Sequence, residues 1–505
     1  MTDSGRLRTA ASPQIRAMLL ERPATPRPAW KAELDRICLV DLAHVVMLAE
    51  RGITERPVAS ALLSAVQDLR KQDFAPLEHL PTPRGLYLAY EGYLIELLGE
   101  GVGGVLQTGR SRNDLNATCL QLALREPYKR LARELTALGT VLTNRARRYR
   151  DVLMPVHTHF QAAMPITFGH YLLGLSHAVE RDLQSLAHAA RGLARSPLGG
   201  GSVGGTTVPI DPERTAHLLG FTEPVANSVD AIASRDTALR MLSTCAILGV
   251  TLDRAALDLL MWSSAEFGML TVPDGLVGSS SMMPQKRNAF VLEHVQGKSA
   301  AALGALTAAV SAMRGTPFTN SIAVGTEAMS HVMAALYTTA DAVKIMRLAY
   351  QGVRPVPEVM ARRATEGLTN ATATAEWLVG QGVPFRRAHY QVGQAATAVL
   401  AGEVDSLGEG LARNGHTPKA PLPDLGPEAV RRAARFGGGP GPAAFERAFG
   451  PLAARWLEHR AAHLRQEAAW ERSTERLMET VDAVCAPATA TAAGSVTGEG
   501  TVRGA

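Results

Sequence analysis

From Ala231 to Phe267 apolar residues recur at three- and four-residue steps, as at Leu239, Leu242, Ile247, Leu248, Leu252 and Leu259–Leu260, with no proline among them. That spacing predicts a long α-helix. The stretch from Phe290 to Met313 repeats the pattern and is rich in alanine. Apolar positions fall on more than one face of both stretches, so these helices are expected inside a bundle rather than on its surface. Between them the period stops. Ser279 to Asn288 holds three serines, a lysine and an asparagine, and with Gly278 before it and Pro284 inside it the stretch reads as an irregular loop. Periodicity alone therefore predicts an all-α fold built on a helical bundle.

The punctuation divides the chain. An N-terminal helical portion is expected over 1–110 and a central bundle over 111–352, carrying the loop at 276–290. Gly352 to Pro357 then breaks the pattern before a C-terminal helical portion over 353–485. Arg413 to Pro442 is rich in Gly and Pro, including Gly437-Gly438-Gly439-Pro440, and reads as a loop or mobile insertion. The Ala/Thr/Gly-rich tail, 486–505, is expected to be disordered. A chain of 505 residues exceeds one core, so two or three domains are expected, and no internal repeat is visible.

Composition narrows the class without naming a function. Hydrophobic residues make up 46% of the chain, yet no apolar run approaches the ~20 residues of a membrane span. Arg6, Arg8 and Arg16 precede no continuous apolar stretch, so no secretory signal is expected and the cytoplasm is the expected location. Cys38, Cys119, Cys245 and Cys485 are far apart and lack metal-ligand spacing, which points to reduced thiols, with neither disulfide nor metal. The net charge of +5 comes from dispersed residues and aromatics are only 5%, so no nucleic-acid partner is expected. A small anion suits the charge better.

Three segments carry candidate chemistry. Lys286 is one of only seven lysines in a chain whose usual cation is Arg, so a compact charge beside Ser279, Ser280 and Ser281 suggests a loop closing on an anion. A solvated surface loop is the competing reading. Thr108-Gly109-Arg110-Ser111-Arg112-Asn113-Asp114 gathers anion-binding residue types just before a helical pattern resumes, although a capped surface turn has the same composition. In His157-Thr158-His159-Phe160-Gln161 a histidine could be catalytic or a hydrogen-bonded core residue.

Together these segments resemble the fumarase/aspartase superfamily, and specifically its argininosuccinate lyase branch. Met283-Pro284-Gln285-Lys286-Arg287-Asn288 matches the end of the signature loop Gly-Ser-Ser-x-Met-Pro-x-Lys-x-Asn. Ser279 then stands in the place of the signature glycine, unless the register shifts so that Gly278 serves, and Ser280 falls on the position of the family's base. The other two segments resemble the first and second conserved regions of the branch. Ser196-Pro197-Leu198-Gly199-Gly200-Gly201, Gly204-Gly205-Thr206-Thr207, Asn227-Ser228-Val229-Asp230, Ser234-Arg235-Asp236, Val353-Arg354-Pro355 and Gly382 to His389 extend the likeness from near Asp35 to near Gly402.

The resemblance implies three helical domains with a long central bundle, assembled as a homotetramer whose sites are shared between subunits. It implies a cofactor-free beta-elimination of an N-substituted aspartate, releasing fumarate from a dicarboxylate substrate. By the same resemblance Ser280 is the general base, Lys286 lowers its pKa, and His159 orients or protonates the substrate. Ser111, Asn113, Thr158 and Asn288 would hold the carboxylates, Arg112 would add charge, and Gln161, Ser281 and Met283 are further substrate contacts. Ser279 and Ser281 are the alternative bases.

The departures from the branch fall on one half of the substrate. Asp41 stands where the family's Gly-Ser-x-Ala-His segment has Ser, and Tyr87 and Gln107 stand where it has His. Asn288-Ala289-Phe290 replaces Asn-Pro-Asp, while Asn320, Gly325 and Ala328 replace a Tyr, a Gln and a Lys that meet argininosuccinate. Fumarate-handling residues remain, so the expected leaving amine is not arginine. Asp41, Tyr87, Phe290 and Asn320 are candidates for its pocket, and Phe290 with Ile322 suggests a smaller or less polar nucleophile. Open alternatives are genuine argininosuccinate lyase activity, another nitrogen nucleophile such as a diamine, hydrazine or nitro group, and a non-catalytic crystallin-like homologue. Metal-dependent and nucleotide-binding chemistry is disfavoured, because there is no Cys pair and no phosphate loop.

Overall fold

The computed structural model describes residues 14, 27–80, 86–415, 420 and 422–487. The N-terminal arginines and the tail from residue 488 onward, where disorder was expected, lie outside the described residues. The fold is multi-helical. Its main elements are α1 (Arg27–Glu50), α2 (Arg56–Lys71), α3 (Leu86–Leu98), α4 (Arg112–Arg148), a hairpin of β1 (Leu153–Thr158) and β2 (Gln161–Thr167), α5 (Phe168–Ala189) and α6 (Asp236–Ser263). They continue as β3 (Leu270–Thr271), β4 (Gly278–Ser279), β5 (Arg287–Asn288), α7 (Phe290–Met313), α8 (Val332–Gly352) and β6 (Arg354–Pro355), and the chain closes with α9 (Pro442–Cys485). No helix among the described residues is long and apolar enough to cross a membrane.

The chain packs as two compact units, each assembled from separate stretches of sequence. One comprises the described residues of Met1–Cys119, Arg195–Ile232 and Ala469–Ala505, and the other Leu120–Ala194 and Ala233–Ala468. In the first, α2 buries Ala59, Leu62, Leu63, Val66 and Leu69, a single stripe at helical spacing. Arg56 caps the end of α9, donating from Nη2 to the carbonyl of Ala483 at 2.7 Å, and Gln67 donates to Asp482 Oδ1 at 3.0 Å.

The second unit holds the long-helix bundle. α6 packs along α7 and also meets α5 and α8. Its buried residues include Ala238, Met241, Leu242, Cys245, Leu248, Leu252 and Leu259. Gly249 permits a close approach to α7, because a Cβ there would lie 2.7 Å from the carbonyl oxygen of Ser299. The expected Phe290–Met313 helix is α7, residue for residue. The expected Ala231–Phe267 helix is instead two, Ser228–Ala233 and α6. The break is local: Arg235 Nη1 donates to the carbonyl of Ser234 at 2.7 Å and Ser234 Oγ accepts from the amide of Asp236 at 3.3 Å, side-chain bonds that compete with the helical ladder. The Gly/Pro-rich stretch read as a loop also contains a short helix, Pro427–Ala433, with its proline in the first turn, where no amide is needed.

Candidate active site

The serine-rich loop is a closed hairpin. β4 and β5 pair antiparallel, Gly278 with Asn288 and Ser279 with Arg287, and so pin both ends of residues 280–286. Within it a turn runs from Met283 to Lys286, whose amide donates to the Met283 carbonyl at 3.1 Å. Pro284 occupies the second position, where its fixed φ is favoured. Ser280 opens the loop, and its Oγ accepts from the amides of both Met282 (3.3 Å) and Met283 (3.0 Å). Two backbone donors thus converge on one hydroxyl oxygen. Arg287 braces the base of the loop, reaching Asp274 at 2.7 Å and the Val272 carbonyl at 3.1 Å. Ser281, Met282, Met283 and Lys286 are exposed, and among the described residues the Lys286 ammonium has no hydrogen bond or ion pair.

The second segment is the tip of the β1–β2 hairpin. Thr158 pairs with Gln161, leaving His159 and Phe160 as a two-residue turn with φ of 52° and 61°. Two positive φ values are what a type I′ turn requires, and Asn-Gly is the usual choice there. Using His and Phe instead stores strain, which persists mainly where a site needs it. The register shifts between Val156 and His157, a bulge that re-aims the tip. Thr158, His159, Phe160 and Gln161 are all exposed. His157 turns inward, its ring edge-on to Phe267 at 5.7 Å, and burial pushes its pKa down. It lines a cavity of about 310 Å³ with Phe160, Glu266, Phe267, Arg363 and Glu366.

The third segment, 107–114, lies in the other unit and is tethered along its length. Gln107 Nε2 donates to the Tyr87 hydroxyl at 2.6 Å, and the Thr108 carbonyl lies 2.9 Å from His44 Nε2. Arg110 pairs with Asp41, both side chains fully enclosed. Asp114, also buried, accepts from the amides of Ser111 (2.9 Å) and Leu115 (3.0 Å) through one oxygen and of Gly199 (3.1 Å) and Gly201 (3.0 Å) through the other. The Ser111 hydroxyl accepts from the Asn113 amide at 3.3 Å, and Arg112 is exposed. Asp114 was not singled out by the sequence. Its signal was available, an acid just inside a helix start, where it caps free amides.

The amine-pocket candidates separate into three places. Asp41 is 0% and Tyr87 6% exposed, so neither faces an open cleft within this unit. Phe290 begins α7 and covers the loop base, its ring 3.0 Å from where a Cβ on Gly278 would sit. Asn320 precedes a π-helical turn, Ala323–Glu327, a geometry frequent at functional sites, and its Oδ1 closes over Gly325 beside the guanidinium of Arg235. Ile322, at the start of that turn, is 72% exposed. Each segment is locally ordered. Among the described residues no hydrogen bond or ion pair joins Ser280 or Lys286 to Thr158 or His159, although both lie in one unit.

Known proteins share this chain's sequence pattern and fold. A family model described as lyase matches residues 47–304, and one described as argininosuccinate lyase C-terminal matches residues 368–409. The argininosuccinate lyase of Methanosarcina mazei is 34% identical over 413 residues, covering 80% of this chain and 84% of that protein. That of Methanothrix thermoacetophila is 38% identical over 368 residues, covering 73% and 74%. Among solved structures, EDDS lyase in complex with formate superposes with a TM-score of 0.83 at 26% identity, over 90% of this chain and 92% of that one. An EDDS lyase variant with bound fumarate gives 0.83 at 25% identity, over 93% and 97%. A class II fumarase from Schistosoma mansoni, at 14% identity and a TM-score of 0.67, shares the fold.

Proposed function

Because the chain belongs to the fumarase/aspartase superfamily, close to its argininosuccinate lyase branch, we propose that it is a carbon–nitrogen lyase that eliminates fumarate from an N-substituted aspartate, with Ser280 as base and an amine other than arginine as leaving group. The observation that carries the assignment of the base is the pair of amides on Ser280 Oγ, at 3.0 and 3.3 Å. A serine hydroxyl is too weak an acid to serve unaided, and hydrogen bonds to the charged form lower a pKa. Donors already aimed at the oxygen stabilise an alkoxide without reorganisation.

In the proposed reaction Ser280 removes a proton from the carbon beside one carboxylate, leaving a dianionic aci-carboxylate. The carbon–nitrogen bond then breaks with its electron pair on the nitrogen, which takes up a proton, and fumarate remains. Lys286 is assigned to lowering the Ser280 pKa, Asn288, Ser111, Asn113 and Thr158 to the two carboxylates, with Arg112 adding charge, and His159 to orientation or proton delivery. Since no hydrogen bond or ion pair among the described residues joins the loop to the hairpin tip, complete sites are proposed to form between subunits of a homotetramer.

Argininosuccinate itself is the second reading, favoured by the names of relatives 34% and 38% identical. Against it stand Asn320, Gly325 and Ala328, which replace the Tyr, Gln and Lys of the family pattern. Incubating the protein with fumarate and arginine, ammonia, ethylenediamine or hydrazine, and reading adduct masses, decides between them. Adducts with a non-arginine amine support the proposal, and an arginine adduct alone supports the alternative. No adduct with any amine, together with no fumarate release, would overturn both.

A further inference from the structure

Three of the positions that separate this chain from the family pattern join in one chain of side-chain bonds around Arg110, Asp41 and Tyr87 directly and Gln107 through Tyr87. Arg110 Nη2 donates to Asp41 Oδ1 and lies 3.4 Å from the Tyr87 hydroxyl, which in turn accepts from Gln107 Nε2 at 2.6 Å. Both Asp41 and the Arg110 side chain are closed off completely. Arg110 Nε and Nη1 have no partner, so the pair with Asp41 is its one ion pair among the described residues.

Arg110 directly precedes Ser111, and the backbone on either side of it is held. Gly109 adopts φ +73°, and a Cβ there would meet Ile210 Cγ2 at 2.7 Å, so the turn cannot shift toward Ile210. Asp114 clamps the other side through four amides. The Arg110 side chain is the tether between these two anchors, and Asp41 is what holds it.

We propose that Asp41 is a positioning residue: through its buried ion pair with Arg110, completed by Tyr87 and Gln107, it sets the segment Ser111–Asn113 and does not touch the amine. Asp41, Tyr87 and Gln107 therefore form one coupled unit rather than three separate pocket changes. The functional consequence rests on the reading of Ser111–Asn113 as a carboxylate-binding segment, whereas the tether itself does not.

The test uses the full-length protein with Asp41→Asn, which keeps the shape and removes the charge, and Tyr87→Phe, which removes only a hydroxyl. Amide hydrogen exchange is followed over residues 107–115 and, as an internal reference, over 290–313. Michaelis constants for fumarate and for the amine are measured separately in the addition direction. In Asp41→Asn exchange should quicken over 107–115 only, and the fumarate KM should rise at least about tenfold, the change one lost hydrogen bond to a charged group produces. The amine KM and the ranking of amines should stay as in the wild type. Tyr87→Phe should move the same readouts in the same direction by less, and decides the matter if Asp41→Asn does not fold. Wild-type exchange in the variants overturns the tether whatever the activity, and a raised amine KM or altered ranking with unchanged fumarate KM makes Asp41 an amine ligand. Absence of fumarate binding by the wild type counts against the proposed function, while exchange still decides the tether.

Discussion

Replacing Ser280 by Ala removes the one oxygen on which the amides of Met282 and Met283 converge. A hydrogen bond to a neutral hydroxyl is worth about 1 kcal/mol net, and one to a charged partner about twice that. Two such donors therefore favour the alkoxide over the hydroxyl by roughly 2 kcal/mol, and by more when bound substrate excludes water. Loss of a general base costs ~10²-fold at the low end, so turnover should fall by ~10² to 10⁴-fold. Stability should change little. Ser280 is only half-buried and the ribbon pairing Gly278 with Asn288 holds the loop ends, so the loss resembles that of a helix cap, about 1 kcal/mol.

The control lies in the neighbours. Ser279 and Ser281 are exposed, and among the described residues neither hydroxyl accepts a backbone amide. Ser279→Ala and Ser281→Ala should therefore leave turnover near that of the wild type. Initial rates of fumarate release, followed by ultraviolet absorbance, and thermal unfolding of all three variants make the comparison. Near-normal turnover in Ser280→Ala, or an equal loss in Ser279→Ala or Ser281→Ala, would refute the assignment and move the base to the serine that proved essential.

If sites are shared between subunits, an equal mixture of Ser280→Ala and His159→Asn, dissociated and reassembled, should recover part of the activity each lacks. No recovery, or an active monomer, rules sharing out. Loss of two or three polar contacts, at roughly 1 to 3 kcal/mol each, predicts argininosuccinate cleavage slower than that of another N-substituted aspartate by about 10² to 10⁴-fold. Efficient release of arginine and fumarate would return the chain to arginine metabolism. Burial and then the charge of Arg110 hold the His44 pKa well below its ordinary 6.5, so the folded chain keeps this ring neutral while the unfolded chain protonates it. Its contribution to stability is present above pH ~6.5 and is lost as pH falls toward the folded pKa. His44→Gln should remove that increment from the pH dependence of the urea midpoint, and an unchanged slope would contradict it.

What could be seen in the sequence and what could not divide by distance along the chain. The α7 helix was legible to its ends because its signal is a local period, and the serine loop was legible because the bonds on Ser280 come from residues two and three positions ahead. The β1–β2 hairpin was not. Its turn uses His159 and Phe160 rather than Gly or Asn, and Pro155 faces Pro165 across the ladder, so both turn chemistry and strand propensity pointed away from it. The Asp41–Arg110 pair spans 69 residues and Gln107–Tyr87 spans 20, and no single sequence reveals which distant polar residues pair. Hence Asp41 and Tyr87 read as pocket residues yet lie buried beneath the segment they hold. The same division separates the two halves of the substrate. The segments assigned to the carboxylates are built largely from turns and caps with near partners, as at Ser280 and Ser111, and they leave motifs. Recognition of the amine is assigned to side chains brought from Phe290 and Asn320, far apart in the chain, so substitutions there would change its chemistry without disturbing any motif that marks the family.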